Sequence, residues 1–445
     1  MKSAKLIRTM DLGAYGGAET FFADINNDGL PEIITYQGPG IFGARSFREN
    51  PKFQPFLPCH TCVSAFDLVG RRLWSWGEPN PSDPPYLSHG NEDCVTIGDI
   101  DGDGQAEVVV ALGDALAVLD GASGREKRLV PLLADYYYII HALGAATGPG
   151  EAALVAKNSE GGADPWACGQ PVLGLNSALE VVWGPRTVPG GGHHILTITM
   201  PDGQPGYLIG YCALHPKGTL AWMVDAVDPE KLDARLQHVD FTATWLDENG
   251  RRMYAMAAGT PYGHVLSDGG GTLFSVMDKH VQGVAVGRFD PGGQGRRQAA
   301  FYNCHGDTAV TLYDMQGQRL WRRNVDRLHA DMTIVDLKDP GEQIRRFHRN
   351  RPLLTITGNR RDWIGFADGG WPWGMDGAGE VALRFPAPAG LPRTPWRQYP
   401  AMAGLRLDDL GFGYALKDLV TAEDQRMTVV YNRRYLWVYD SQVSG

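Results

Sequence analysis

The chain has 445 residues, 43% of them hydrophobic, with 57 Gly, 29 Pro and a formal net charge of −10. That acidity argues against a nucleic-acid backbone as partner, because phosphate binding draws on clustered Lys and Arg. No apolar run reaches the roughly eighteen residues of a membrane span, and so much Gly and Pro belongs to many short strands with tight turns rather than to long helices.

The N-terminal segment MKSAKLIRTMDLG lacks the apolar core and small-residue cleavage site of a secretory signal. Its literal reading is a cytoplasmic protein; a leader already removed would make it secreted or periplasmic. The first structural unit runs from about 20 to 78: strand TFFADI, an acidic turn, strand PEIITYQ, a Pro-rich insertion at about 41–60, then SAFDLVG and RRLWSW. A second begins at Cys94 and ends near Leu129. Their acidic turns, ADINNDGLPEII from Ala23 and GDIDGDGQAEVV from Gly98, match position for position: Asp24, Asn26, Asp28 and Glu32 against Asp99, Asp101, Asp103 and Glu107. Side-chain oxygens at alternate positions, a Gly at the bend and a closing Glu surround one point, as calcium requires. The plainer reading is that these carboxylates accept backbone N–H bonds and hold the turn. Structural calcium is the expectation.

Later units keep the ending of strand, Gly turn and strand but lose the acidic loop: PVLGLNSALEVVW, ALHPKGTLAWMV, GTLFSVMD, AVTLYDMQGQRLWRR and RMTVVYNRRYLWVYD. Leading strands fall near 20, 94, 138, 193, 237, 280, 328 and 403. Sheets this small cannot bury their faces alone, so neighbours must stack around an axis until a ring closes. The expectation is an all-β protein, a single β-propeller over residues 1–445 with seven or eight four-stranded blades, eight by this count. The last unit lacks a clear fourth strand, which AKLIRTMDL could supply, closing the ring between the termini. The stretch 340–400, rich in Arg, Pro, Gly and Trp without period-two alternation, is expected to form long loops on one face, where function often resides.

Seven histidines, His193, His194, His215, His238, His264, His280 and His305, fall in one third of the chain. Around them, GGGHHILTITMPDGQPGYLIGYCALHPKGTLAW and KHVQGVAVGRFDP, preceded by acidic-loop blades, resemble the propeller-fold polysaccharide lyases. That group includes ulvan lyases, lyases of rhamnosyl-glucuronate linkages and, more distantly, rhamnogalacturonan lyases. The resemblance covers most of the ring as architecture and is specific over about 190–290.

What it implies is β-elimination on an acidic polysaccharide or oligosaccharide: a base removes the C5 proton of a uronate, an acid protonates O4, and a cation stabilises the intermediate. The family pattern carries over to His194, His215, Tyr262 and the basic position at Lys279 and His280. His193, His264, Arg235, Arg327, His329 and Trp363 are candidate substrate contacts. The residue types suit the chemistry, since the C5 proton becomes acidic only when the carboxylate charge is neutralised, and a base within about 3 Å must then accept it. Histidine, with an ordinary pKa of about 6.5, is largely neutral at pH 7. Whether His194 or Tyr262 is the base stays open. A departure from the pattern is Lys279 and His280 where an arginine clamp is expected; Arg235 or Arg327 could supply the missing fork.

Each candidate has a plainer reading: His193 and His194 facing solvent, His215 sitting in a turn, Tyr262 packing on a neighbouring blade, Lys279 on the surface, and Trp363, Trp371 and Trp373 plugging gaps between blades. Six cysteines are too sparse for a disulfide scaffold. Cys59 and Cys62 have half-site spacing for zinc without a second pair, and Cys304 with His305 could join His280 or His264 around zinc. The alternative to a lyase is a non-catalytic, calcium-braced propeller binding glycan or protein. A hydrolase would need two opposed carboxylates, and no persuasive pair stands outside the acidic loops. Either main reading suits a monomer.

Overall fold

The computed structural model describes residues 1–38, 61–79, 93–325, 353–388 and 415–441, apart from short breaks at 18, 135–136, 138, 147, 159–165, 168, 234–236, 260–261, 291–294, 304–308, 360, 368–370, 421–425 and 433. They form eight antiparallel sheets. The first strands are Glu19–Ala23, Val95–Gly98, Ile139–Ala142, Ile195–Thr199, Phe241–Leu246, Val281–Gly287, Leu353–Ile356 and Ala415–Val420, in blades one to eight. First strands touch between blades two and three, three and four, five and six, six and seven, and seven and eight, as strands lining a common axis do. Among the described residues the only helical pieces are the short 3-10 turns Gly13–Tyr15 and Asp268–Gly270. The expected all-β propeller of eight blades is therefore observed.

Burial follows position within a blade. Second strands such as Glu32–Gln37 and Glu107–Ala111 are buried at every residue, because another blade covers each face. Outer strands such as Glu126–Pro131 mix exposed with half-buried positions. Eight apolar clusters fill the eight seams. Ile34, Tyr36 and Val63 of blade one, for example, pack on Val95, Val108 and Val110 of blade two, and Met10 and Val438 of blade eight meet Ile33 and Phe66 of blade one.

A recurring latch explains the Gly-turn and Trp endings read in the sequence. Trp74 of blade one donates its indole N–H to the Gly121 carbonyl of blade two at 2.8 Å. Gly124 lies beneath the same ring with φ +69°, where an added Cβ would stand 2.5 Å from Trp74, so only Gly fits. Trp183 and Trp321 make the corresponding bonds to Pro216 and Gly377.

The ring closes as expected. Lys5–Asp11 pairs antiparallel with Tyr435–Asp440 and becomes the outer strand of blade eight. Arg434 grips Asp11 through two bonds of 2.9 and 3.0 Å, and Lys2–Ser3 adds a parallel fifth strand to blade seven.

Blade seven corrects one expectation. Leu353–Ile356, Trp363–Phe366, Trp373–Met375 and Val381–Arg384 form a complete sheet inside the stretch read as loops. First strands seven and eight therefore start at 353 and 415, not near 328 and 403. Strand-forming runs of three or four residues between Arg, Pro and Gly segments carry too little alternation to register. The insertion at 41–60 lies outside the described residues.

Candidate functional site

In each blade the first strand runs from one face of the ring, here called the upper, to the other. Segments leading into first strands thus lie on the upper face, and the acidic loops, which join first to second strands, lie on the lower. His193, His194, Tyr262, Lys279 and His280 accordingly lie on the face opposite the predicted metal ligands.

On the upper face three consecutive blades send side chains to one carboxylate. His193 precedes the first strand of blade four, His238 and Asp240 that of blade five, and His280 that of blade six. His193 Nε2 and His238 Nε2 each lie 3.3 Å from Asp240 Oδ1, and His280 Nε2 lies 3.6 Å from Oδ2. Gln282 donates Nε2 to Asp240 Oδ1 at 3.1 Å, while its Oε1 is 3.0 Å from His280 Nε2. His238 meets both other rings edge-on, at centroid distances of 5.0 and 6.1 Å. Burial by itself pushes the Asp240 carboxyl up, but the charge and hydrogen bonds of His238 and His193 prevail and hold it well below its ordinary value.

The Gly run before the paired histidines makes this approach possible. Gly192 has φ +58°, and a Cβ there would overlap the Val239 carbonyl oxygen. His193 N donates to Val239 O at 3.0 Å and Val239 N to Gly190 O at 3.1 Å, so the two lead-in segments lie side by side. Lys157, fully buried at the upper end of blade three, donates to the Gly192 carbonyl.

His194 turns from this cluster toward blade two, with Nδ1 3.2 Å from Asp93 Oδ2 and its ring edge-on to Phe241. Tyr262 begins the third strand of blade five, two strand spacings or about 10 Å outward from the first strand. It is 36% exposed, with its ring 5.9 Å from that of His264. Burial pushes His264 down to about 4, against a smaller opposing effect of Asp225, so its imidazole is neutral at pH 7; Nδ1 is 2.9 Å from Ser275 Oγ. Lys279 is exposed beside His280.

Two candidates are corrected. His215 sits in the turn after Cys212–Leu214, on the lower face. Three antiparallel strands separate it from His194, and an odd number of strands ends on the opposite side. Trp363 is 1% exposed in the core between blades seven and eight and has no sugar-stacking face, while Trp371 and Trp373 are equally enclosed. Arg235, Arg327, His329, Cys59, Cys304 and His305 lie outside the described residues. Asp240, Gln282 and Asp93 were not singled out from the sequence. A signal existed: His238-Val239-Asp240 and His280-Val281-Gln282 both stand at the start of consecutive first strands.

In the lower-face loops each closing Glu caps a backbone N–H: Glu32 accepts from Ile25 and Glu107 from Ile100, both at 3.0 Å. Asp24 accepts from Gly29 N at 2.9 Å and Asp99 from Gly104 N at 3.0 Å. The loops touch, with Asn27 Nδ2 donating to Gly104 O at 2.9 Å. Their centres differ. In the second, Lys127 Nζ stands among Glu107, Asp101 and Asp103 at 2.6, 2.9 and 3.4 Å. In the first, the Asn26 amide donates to Glu32 and Asp28 at 3.0 and 3.1 Å.

The chain matches no known family model and no curated protein. Its fold is similar to that of an exotype rhamnogalacturonan lyase, YesX, with TM-score 0.58 and 13% identity over 96% of this chain and 72% of that one. It is similar also to the Bacillus licheniformis rhamnogalacturonan lyase PL11, with TM-score 0.54 and 13% identity over the same shares. BamB from Moraxella catarrhalis gives TM-score 0.51 and 14% identity over 99% and 98%. At these identities the likeness is one of fold. Among the described residues no helix is long and apolar enough to cross a membrane.

Proposed function

We propose that this protein is a polysaccharide or oligosaccharide lyase that cleaves a rhamnose–uronate linkage of glucuronate type by β-elimination on its upper face. The observation that carries the reading is the convergence of His193, His238 and His280, from three consecutive blades, on the buried carboxylate of Asp240. The two rhamnogalacturonan lyases among the structural relatives support it as instances of this architecture hosting such chemistry.

Elimination asks for a base, an acid and a positive charge facing the uronate carboxylate. His194, oriented through Nδ1 by Asp93, is assigned as the base for the C5 proton, with its Nε2 buried in the substrate-free ring. Tyr262, partly exposed on the same face, protonates the departing O4. The imidazole cluster offers hydrogen bonds to the uronate carboxylate, and Lys279 beside it supplies the positive charge that acidifies C5–H. No water enters the products. The acidic loops brace the ring from the lower face; the first offers Asp24, Asp28 and Glu32 to calcium, whereas Lys127 already supplies positive charge to the second.

Wild type incubated with ulvan, rhamnogalacturonan and gum arabic side chains should generate the ultraviolet absorbance of an unsaturated uronate. His194→Ala and Tyr262→Phe should each lower the rate by about a hundredfold or more with an unchanged melting temperature. Absence of the chromophore on every uronate glycan overturns the reading and leaves a binding propeller. That second reading is favoured by the placement of Tyr262 outside the histidine cluster.

A further inference from the structure

We propose that His193, His238 and Asp240 form a binding site for one divalent transition-metal ion, of the zinc, cobalt or manganese class. The proposal depends on the upper-face geometry and not on the reaction assigned to it.

One ligand atom from each residue lies within 4.8 Å of the others. The two contacts to Asp240 Oδ1 are 3.3 Å each, at the long end of hydrogen-bond distances. Bonds of about 2.0–2.1 Å at tetrahedral angles place neighbouring ligand atoms about 3.3 Å apart, so both contacts have the length of an edge of such a coordination shell. All three residues are buried, at 1%, 8% and 1% exposure. His238 Nδ1 and Asp240 Oδ2 are buried polar atoms that make no hydrogen bond, so the cluster is not saturated by its own contacts.

Two imidazoles with one carboxylate select borderline metals over calcium or magnesium, which take oxygen shells. Three protein ligands leave a fourth position to be filled by water or a ligand oxygen. Gln282, bonded to Asp240 and in contact with His280, gives the carboxylate the outer support that metal ligands require. His280 Nε2, 3.6 Å from Asp240 Oδ2, lies at the border of the shell. The acidic loops on the opposite face have oxygen donors only and suit a different class of cation.

The test is a titration of chelator-treated full-length protein with cobalt(II), read by visible absorption and by metal content after gel filtration. Wild type should take up one equivalent with absorption bands typical of imidazole ligation, displaced by zinc but not by calcium. His238→Gln and Asp240→Asn should each weaken uptake at least a hundredfold, while Asp202→Asn in an exposed turn of blade four leaves it unchanged. If Asp240→Asn does not fold, His238→Gln decides. No cobalt spectrum in wild type, or uptake equal to wild type in a folded His238→Gln variant, overturns the proposal. No substrate is used, so failure here leaves the lyase reading standing with Lys279 as the charge, and failure of the lyase assay leaves the metal site standing.

Discussion

Replacing Lys127 by Met removes the ammonium that stands among three carboxylates of the second acidic loop. The Glu107 side chain is 1% exposed and that of Lys127 22%. Burial pushes the Glu107 carboxyl up, and the Lys127 bond pulls it back. For Lys127, burial opposes the charge, but its bonds to Glu107 and Asp101 outweigh this and raise its pKa. Removing one partner of a buried pair costs about 3–5 kcal/mol, and the partial exposure of Lys127 reduces that to about 2–3 kcal/mol. At about 2 °C per kcal/mol, a value for larger domains, the melting temperature should fall by about 4–6 °C in chelator at pH 7. The raised Glu107 pKa means that acidification toward pH 5 protonates this carboxyl first, so the deficit should narrow there. Millimolar calcium should recover part of it, because the freed oxygens then surround an empty centre. Calorimetry on wild type and variant, with and without calcium and at both pH values, reads every term. A melting temperature equal to wild type in chelator would refute the reasoning, leaving the backbone bonds to Asp99 and Asp103 sufficient for the loop.

Deleting residues 1–12 strips Met10 and Leu12, 3% and 5% exposed, from the closing seam. At about 1.5–3 kcal/mol for each buried side chain, thermal denaturation should begin at least about 5 °C earlier; an unshifted transition would mean the ring does not depend on that strand. Asp418 lines a cavity of about 640 Å³ on the axis with Arg288, Arg297, Asp362 and Arg426. Burial pushes its carboxyl up to about 7, against a smaller opposing effect of Arg426. The folded state therefore holds this proton more tightly than the unfolded chain, whose carboxyl titrates near 3.9. Stability from this group is full below about pH 4 and lost as pH rises through about 7, a change of about 2–4 kcal/mol. Asp418→Asn should flatten the dependence of melting temperature on pH between 4 and 8, and an unaltered slope would contradict the assignment.

The architecture was legible because its signals are local. Paired acidic turns, Gly turns followed by Trp strands, and fully apolar second strands such as EVVVA each mark one place in a blade. Blade seven escaped because LLTI, WIGF and WGM are too short and too irregularly spaced to show a period. The site was half legible. Histidines at 193, 194 and 280 stood out as candidates, but His215 was drawn in by sequence spacing alone. Counting strands would have removed it, since residues after one or three strands from the upper face emerge below, and residues after two or four emerge above. Asp240 was hidden because an aspartate before a strand carries no signal until the repeat frame aligns it with Gln282. Trp363 misled because a Trp beside Arg and Gly reads as a loop, whereas it opens a core strand.

The most direct test of elimination on the upper face is the mass of the products formed in oxygen-18 water from a glycan that the wild-type protein cleaves. The account predicts fragments whose new non-reducing end is lighter by one water and carries no label, with formation lost in His194→Ala. Labelled, fully hydrated fragments would contradict it and indicate hydrolysis instead.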